Sequence, residues 1–88
     1  MTIRSRRESV TFRHPFRIHG IQRLLPAGRY DLIADEETIE AETFSAWRRI
    51  GTTIILPAEQ AGDAMQMLSI HVLDLADARR IDASVLND

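Results

Sequence analysis

The chain has 88 residues, which is enough for one domain and too few for two. Hydrophobic residues make up 44% and charged residues 27%, so the composition excludes a disordered or fibrous protein. The absence of cysteine excludes a disulfide framework and a thiolate metal site. Neither a signal-like apolar run nor a stretch of ~18 apolar residues is present, so we expect a cytoplasmic protein.

Positive and negative charges are separated along the chain. Residues 1–30 contain seven arginines and one acidic residue, Glu8, whereas residues 31–46 contain six acidic residues and no basic one. A basic arm that binds an acidic partner would explain this pattern. Neighbouring strands that pair opposite charges across a sheet would also explain it, and we favour this second explanation.

The amino-terminal part of the chain predicts an arm followed by a strand. Residues 1–8 are polar and offer only Ile3 for burial, so we expect a disordered arm. Residues 10–19 alternate between apolar and polar positions, which predicts a half-buried strand. Since proline cannot donate to a sheet ladder, this strand either lies at an edge near Pro15 or breaks into two pieces around His14 and Pro15.

The motif Leu25-Pro26-Ala27-Gly28-Arg29-Tyr30 carries the strongest local signal in the chain. Proline presets its φ for the first corner of a type I turn, and glycine can adopt the left-handed conformation that closes a three-residue loop. We therefore predict a hairpin with arms at residues 21–25 and 29–34. Pro26 and Gly28 form its structural turn.

The middle of the chain predicts a loop and two strands. The stretch Asp35-Glu36-Glu37-Thr38 is polar and acidic, which is typical of a solvent-exposed loop. Apolar residues then follow at alternating positions, but over a distance too long for one straight strand. We predict one strand near residues 41–49 and another near residues 52–56, with a bend or bulge at Gly51.

Residues 59–80 fit two different structures. Apolar residues at helical spacing allow one helix across the whole range. Alternatively, residues 66–73 form a strand and Asp74 caps a short helix that ends near Ile81. We prefer the second structure, because a glycine and two β-branched residues weaken the long helix.

Strands followed by a helix predict one α+β domain over residues 1–88, with a small, mostly antiparallel sheet of four to six strands and a C-terminal helix. The 25–30 motif, together with Phe16, the acidic residues 35–37 and residues 46–52, resembles short uncharacterised proteobacterial proteins that share an L-P-A-G-x-Y core. The resemblance implies a small β-rich domain of unknown function. It carries no catalytic residue.

No residue pattern indicates an enzyme, a metal site or a cofactor site. His14 and His19 would lie on opposite faces of a regular strand, and His71 is far away in sequence. The serines lack a nucleophile-elbow context, and the acidic stretch lacks the burial that would separate carboxylate pKa values. We therefore expect a non-enzymatic protein without a cofactor or metal.

Trp47 and Arg49 project opposite to the apolar positions of their predicted strand, and an outward tryptophan often marks a contact surface. The alternative is that a helix or second sheet covers Trp47, which would then belong to the core. Ile55 has the same parity if Gly51 adds no bulge. Trp47, Arg49 and Ile55 are therefore the candidate interaction surface.

We expect a non-enzymatic interaction or structural module that forms a homodimer and has no membrane partner. Residues 52–56 are apolar and uncharged, so at a sheet edge they would need to be covered, and a two-fold copy would cover them. The alternative function is arginine-mediated nucleic-acid binding, because several arginines lie near Phe12 and Phe16. These arginines are Arg4, Arg6, Arg7, Arg13 and Arg17. Both phenylalanines share the apolar face of their strand, so we expect them in the core.

Overall fold

The computed structural model of the chain describes residues 2–58 and 62–85. It contains the strands β1 (Ile3–Phe12), β2 (Gly28–Glu40), β3 (Ser45–Leu56) and β4 (Gln66–Ile70), followed by helix α1 (Val72–Ser84). The four strands form one antiparallel sheet in the order β1-β2-β3-β4. This architecture confirms the predicted α+β class, with a C-terminal helix after the sheet. None of the described residues forms a helix with the length and apolarity needed to cross a membrane.

The core lies on one face of the sheet, which we call the helix face. Alternate residues of β1, β2 and β3 are buried there, as expected for a sheet with one covered side. Helix α1 adds Leu75 and Ala78 to this cluster, and the loop between β1 and β2 adds Phe16, Ile18 and Leu25. The opposite side of the sheet, which we call the open face, carries the residues of the other parity.

The long loop between β1 and β2 begins where the sequence predicted a break. β1 ends at Phe12, the chain bends before Pro15, and Phe16 then forms an isolated bridge with Leu25. Two backbone hydrogen bonds, of 2.9 and 2.8 Å, join this pair. Because Phe16 and Ile18 are buried, the apolar residues of the predicted strand still face the core after the break.

The predicted central hairpin is wrong in its pairing. Residues 29–34 belong to β2 and pair with β1, starting with Gly28 opposite Phe12. The ten residues of β1 offer a much longer ladder than residues 21–25, of which only Leu25 is paired. The local chemistry of the motif remains: Gly28 has a φ of +148°, and the Tyr30 hydroxyl donates to the Pro26 carbonyl oxygen at 2.5 Å.

Two segments that were expected to be irregular form regular strand instead. Residues 3–8, expected as part of a disordered arm, are the first half of β1, and residues 35–38, expected as a loop, lie within β2. The two segments pair with each other, with Arg4 opposite Glu36 and Ser5 opposite Asp35. Neither segment is apolar enough to be recognised alone, but their opposite charges are complementary. The favoured explanation of the charge separation, pairing across a sheet, is therefore confirmed.

The bulge predicted near Gly51 is present, but it does not divide the strand. Gly51 lies opposite Asp35 and Arg49 lies opposite Glu36, so Ile50 is the extra residue on β3. β3 continues through the bulge as one strand, whereas we predicted two. β2 follows it on one side for the whole length and holds both halves in the same sheet.

The preferred structure for the last third of the chain is confirmed in its order, because β4 precedes the short helix α1, but the strand ends at Ile70 and not at residue 73. The predicted cap, Asp74, lies instead in the first turn of the helix. His71 is the N-cap, and its Nδ1 accepts a hydrogen bond of 3.0 Å from the Leu73 amide. The helix continues past the predicted end at Ile81. The part of the prediction that concerns residues 59–61 lies outside the described residues.

Candidate interaction surface

The bulge in β3 separates the three residues of the predicted interaction surface. Trp47 and Arg49 lie on the helix face, whereas Ile55, opposite Asp31, lies on the open face. Ile55 would share a face with Trp47 only in a strand without the extra residue Ile50. The structure therefore brings Trp47 and Arg49 together but places Ile55 elsewhere, where its exposed fraction is only 9%.

Trp47 and Arg49 belong to a group of mostly charged residues on the helix face, next to the core along the strands. We call this group the arginine cluster; its members are Arg4, Arg6, Glu8, Glu36, Trp47 and Arg49. Glu36 is at its centre, with a side chain only 10% exposed. The Nε atoms of Arg4 and Arg6 lie 2.9 and 3.1 Å from Glu36 Oε1. Glu8 contacts Arg6 at 3.2 Å and Arg49 at 3.4 Å.

The arginines determine the charge state of Glu36. Its burial disfavours the charged form and would raise the pKa of its carboxyl group. The hydrogen bond from Arg4 and the charges of Arg6, Arg4 and Arg49 act in the opposite direction, and together they outweigh burial. The pKa of Glu36 is therefore lowered, and the residue is a carboxylate at neutral pH.

Trp47 is neither part of the buried core nor fully exposed. The guanidinium group of Arg4 lies over its ring, 3.8 Å from the ring centroid, in a cation–π contact. The tryptophan is 41% exposed. The sequence predicted that Trp47 points away from the apolar face of its strand, but it lies on the helix face, the face that carries the core. The arginine that covers one face of its ring comes from β1, which is two strands away in the sheet.

The arginine cluster is not a free basic patch of the kind that binds phosphates. Arg4 and Arg6 pair with Glu36, and Arg7 pairs with Asp31 at 3.4 Å. Phe12 and Phe16 stack on each other in the core with 3.6 Å between ring centroids, so neither ring is available to a base. The expectation that these phenylalanines are core residues is confirmed. No observation favours nucleic-acid binding over the other function.

Residues 52–56, which would need to be covered at a sheet edge, do not lie at one. Residues 52–56 of β3 pair with β2 on one side and with β4 on the other. Among the described residues, the outer strands of the sheet are β1 and β4. β1 carries four charged residues, whereas β4 has the sequence Gln-Met-Leu-Ser-Ile, without charge or proline. The uncharged, β-branched residues 52–56 are therefore covered by this shorter uncharged strand of the same chain.

Asp82, which the sequence did not single out, joins α1 to the end of β1. One carboxylate oxygen accepts from the Arg13 amide at 3.0 Å, and the other accepts from the His14 amide at 2.9 Å. The His14 ring atom Nδ1 also lies 2.9 Å from Asp82 Oδ1. The bond from the Arg13 amide lowers the pKa of Asp82, and although burial opposes it, the bonds from His14 add to it. Because 68 residues separate the two partners, no local spacing could reveal this contact.

The His14 ring is thus paired with the carboxylate of Asp82 and does not belong to a metal-binding group of side chains among the described residues. Within residues 2–58 and 62–85, no group of three or more His, Cys, Asp or Glu side chains could hold a metal ion. Comparison of the chain with protein-family models, with curated proteins and with solved structures finds no match. The resemblance carried by the 25–30 motif therefore stays a prediction, and a function must be argued from the surfaces themselves.

Proposed function

We propose that the protein is a non-enzymatic interaction module that forms a homodimer by pairing β4 with β4 of a second copy. The observation that carries this proposal is the outer edge of β4. It is uncharged and contains no proline, and no described strand pairs with it. Such an edge presents free amides and carbonyls and lacks charge and proline, two of the features that commonly prevent pairing with another chain.

The register of this pairing follows from symmetry. A two-fold axis that joins two copies of the five-residue strand with full overlap must pass beside its middle residue, Leu68. Leu68 then lies opposite Leu68 of the second copy, and Met67 lies opposite Ser69. None of these pairs brings like charges together, so the edge is complementary to itself.

The hydrophobic core of the monomer extends to this edge, where its side chains are only partly buried. Leu68 and Ile70 pack against the core cluster but are only partly buried. The start of α1 follows directly, with Val72 41% and Leu73 65% exposed. A second copy beside β4 would continue the sheet and the helix layer, and it would remove these apolar side chains from water. Burial of apolar area contributes ~25 cal/mol per Å² to such an association.

The other outer strand is a poorer candidate for pairing. The middle of β1 contains Arg6, Arg7 and Glu8, so a strand added there would lie beside a row of charged side chains. Charged residues of this kind are a common protection of edge strands. The sheet therefore has one protected and one unprotected outer edge, and the proposed dimer uses the unprotected one.

Matched substitutions at the two edges test the proposal. The pair Met67→Lys with Ser69→Lys places lysines opposite each other in the dimer, and all the substituted side chains are exposed in the monomer. The control pair, Ser5→Lys with Ser9→Lys, puts the same charges on the same face of β1. We expect light scattering to report the chain mass of 10.0 kDa for the β4 variant and twice that mass for the β1 variant.

Two results would count against the β4 interface. A β4 variant that remains a dimer would show that the edge is not used. A β1 variant that becomes a monomer while the β4 variant stays dimeric would move the interface to the opposite side of the sheet. Circular dichroism of all three proteins shows whether a loss of mass reflects dissociation or unfolding.

A further inference from the structure

A pocket of about 260 Å³ lies between the β1–β2 loop and the C-terminal half of α1. Phe16 and Ala78 form its buried apolar part. Leu24, Ile81 and Val85 line it as well, and they are 53%, 55% and 43% exposed. Large apolar side chains that stay this exposed around a concavity are typical of a ligand-binding site.

Three polar or charged side chains also line the pocket: His14, Arg17 and Asp82. Asp82 is not open to a ligand, because its two oxygens face the amides of Arg13 and His14 and the His14 ring. Its charge is therefore already compensated by three N–H donors. The same contacts fix the orientation of the His14 ring and hold the loop against α1, so the pocket is formed before any ligand arrives.

Arg17 is the cation of this pocket that remains available. Among residues 2–58 and 62–85, no acidic side chain forms an ion pair with it, in contrast to Arg4, Arg6 and Arg7 on the sheet. It is exposed to solvent and lies in the loop directly after Phe16. A guanidinium group beside an apolar pocket has the charge and the donor geometry that a carboxylate requires.

We propose that this pocket binds a small amphipathic carboxylate, with its apolar chain against Phe16, Leu24 and Ile81 and its carboxylate at Arg17. The small volume, slightly below the ~300 Å³ at which common ligand pockets begin, favours a short-chain molecule. Binding there would bury the exposed apolar side chains around the pocket and would give the guanidinium group of Arg17 a negatively charged hydrogen-bond acceptor. The site is on the helix side of the sheet and makes no use of the proposed β4 interface.

Titration calorimetry with octanoate and with octanol tests this site, because the two probes share an apolar chain and differ in charge. We expect saturable binding of octanoate at millimolar concentration or below and weaker binding of octanol. Arg17→Gln should weaken octanoate about tenfold, as expected for the loss of a hydrogen bond to a charged group, and should leave octanol unchanged. Leu24→Asp, at an exposed position, should abolish octanoate binding by introducing a negative charge at the pocket.

Arg29→Gln is the matched control, because Arg29 is an exposed arginine on the open face of the sheet. It should leave octanoate affinity unchanged. Equal affinities for octanoate and octanol would overturn the proposal, as would an Arg17→Gln variant that binds octanoate like the wild type. The absence of saturable octanoate binding to the folded wild-type protein would overturn it as well.

Discussion

Gly28 and Gly51 lie in neighbouring strands but differ in backbone conformation, and this difference predicts opposite effects of the same substitution. Gly28 has a φ of +148°, and a Cβ built there meets nothing within 4 Å. The effect of Gly28→Ala therefore comes from backbone strain alone, without a clash. Strain at such a φ costs roughly 1–3 kcal/mol, and the reduced entropy of the unfolded chain offsets about 0.4–1 kcal/mol of it.

The net destabilisation expected for Gly28→Ala is therefore between about 0 and 2.6 kcal/mol, with a central value of about 1.3 kcal/mol. In a domain of this size, each kcal/mol lowers Tm by roughly 4–8 °C. Gly51 does not have a positive φ, and a Cβ there would lie 3.7 Å from Asp35 Oδ2, which is an ordinary contact. Gly51→Ala should accordingly be neutral or stabilise the protein by up to ~1 kcal/mol.

Thermal unfolding followed by circular dichroism measures both effects. The proteins must be compared at one concentration, because self-association makes Tm depend on concentration. A lower Tm for Gly28→Ala together with an unchanged or higher Tm for Gly51→Ala is the expected result. If the two variants shift Tm equally, or if Gly28→Ala raises it, the argument from backbone conformation is wrong.

Three further predictions concern the contacts that sequence patterns did not reveal. Deletion of residues 1–8 should lower Tm clearly, since it removes six of the ten residues of β1. An unchanged Tm would instead support the disordered arm that the sequence predicted. The lowered pKa of Asp82 means that its carboxylate stabilises the fold above about pH 4 and that this contribution is lost as pH falls through the lowered value. The free energy of unfolding measured in urea should thus differ between the wild type and Asp82→Asn at neutral pH and become equal in acid. A constant difference between the two proteins at all pH values would contradict the role of Asp82 in joining α1 to the end of β1. Arg4→Ala should change the fluorescence of Trp47, and an identical spectrum would show that Arg4 does not cover the ring.

Periodicity and turn chemistry were sufficient to predict the fold class, a small antiparallel sheet followed by a C-terminal helix. Alternation found the core positions of β1, glycine marked the bulge in β3, and β-branched residues favoured β4 over a long helix. These signals are local, since each depends on neighbours within one element. They therefore predicted the fold class and part of each strand, but they failed to predict the full extent of the strands and which strands pair, as in the hairpin expected around Gly28.

Charged residues concealed the pairing between the start of β1 and the middle of β2. Arg4 and Glu36 each looked like residues of a solvated segment, because a charged side chain is rarely buried alone. Their pairing satisfies both groups, and it becomes visible only when β1 and β2 are aligned. The separation of charges along the sequence contained this information, but it did not supply the register.

Whether the residues of the predicted interaction surface share a face depends on one extra residue in β3, Ile50. Trp47 and Ile55 share a face only if β3 is regular, and the extra residue at the bulge places them on opposite faces. The strand order puts residues 52–56 inside the sheet and leaves β4 at its edge. The reasoning that an uncharged edge strand without proline needs a covering partner therefore applies to β4 and not to residues 52–56.

The molecular mass of the wild-type protein in solution is the most direct test of the proposed self-association. Size-exclusion chromatography with light scattering, carried out over a series of micromolar concentrations, gives this mass without labels or substitutions. Pairing through β4 predicts a mass of twice the 10.0 kDa chain, with dissociation only at the lowest concentrations. A mass of 10.0 kDa at every concentration would contradict the homodimer.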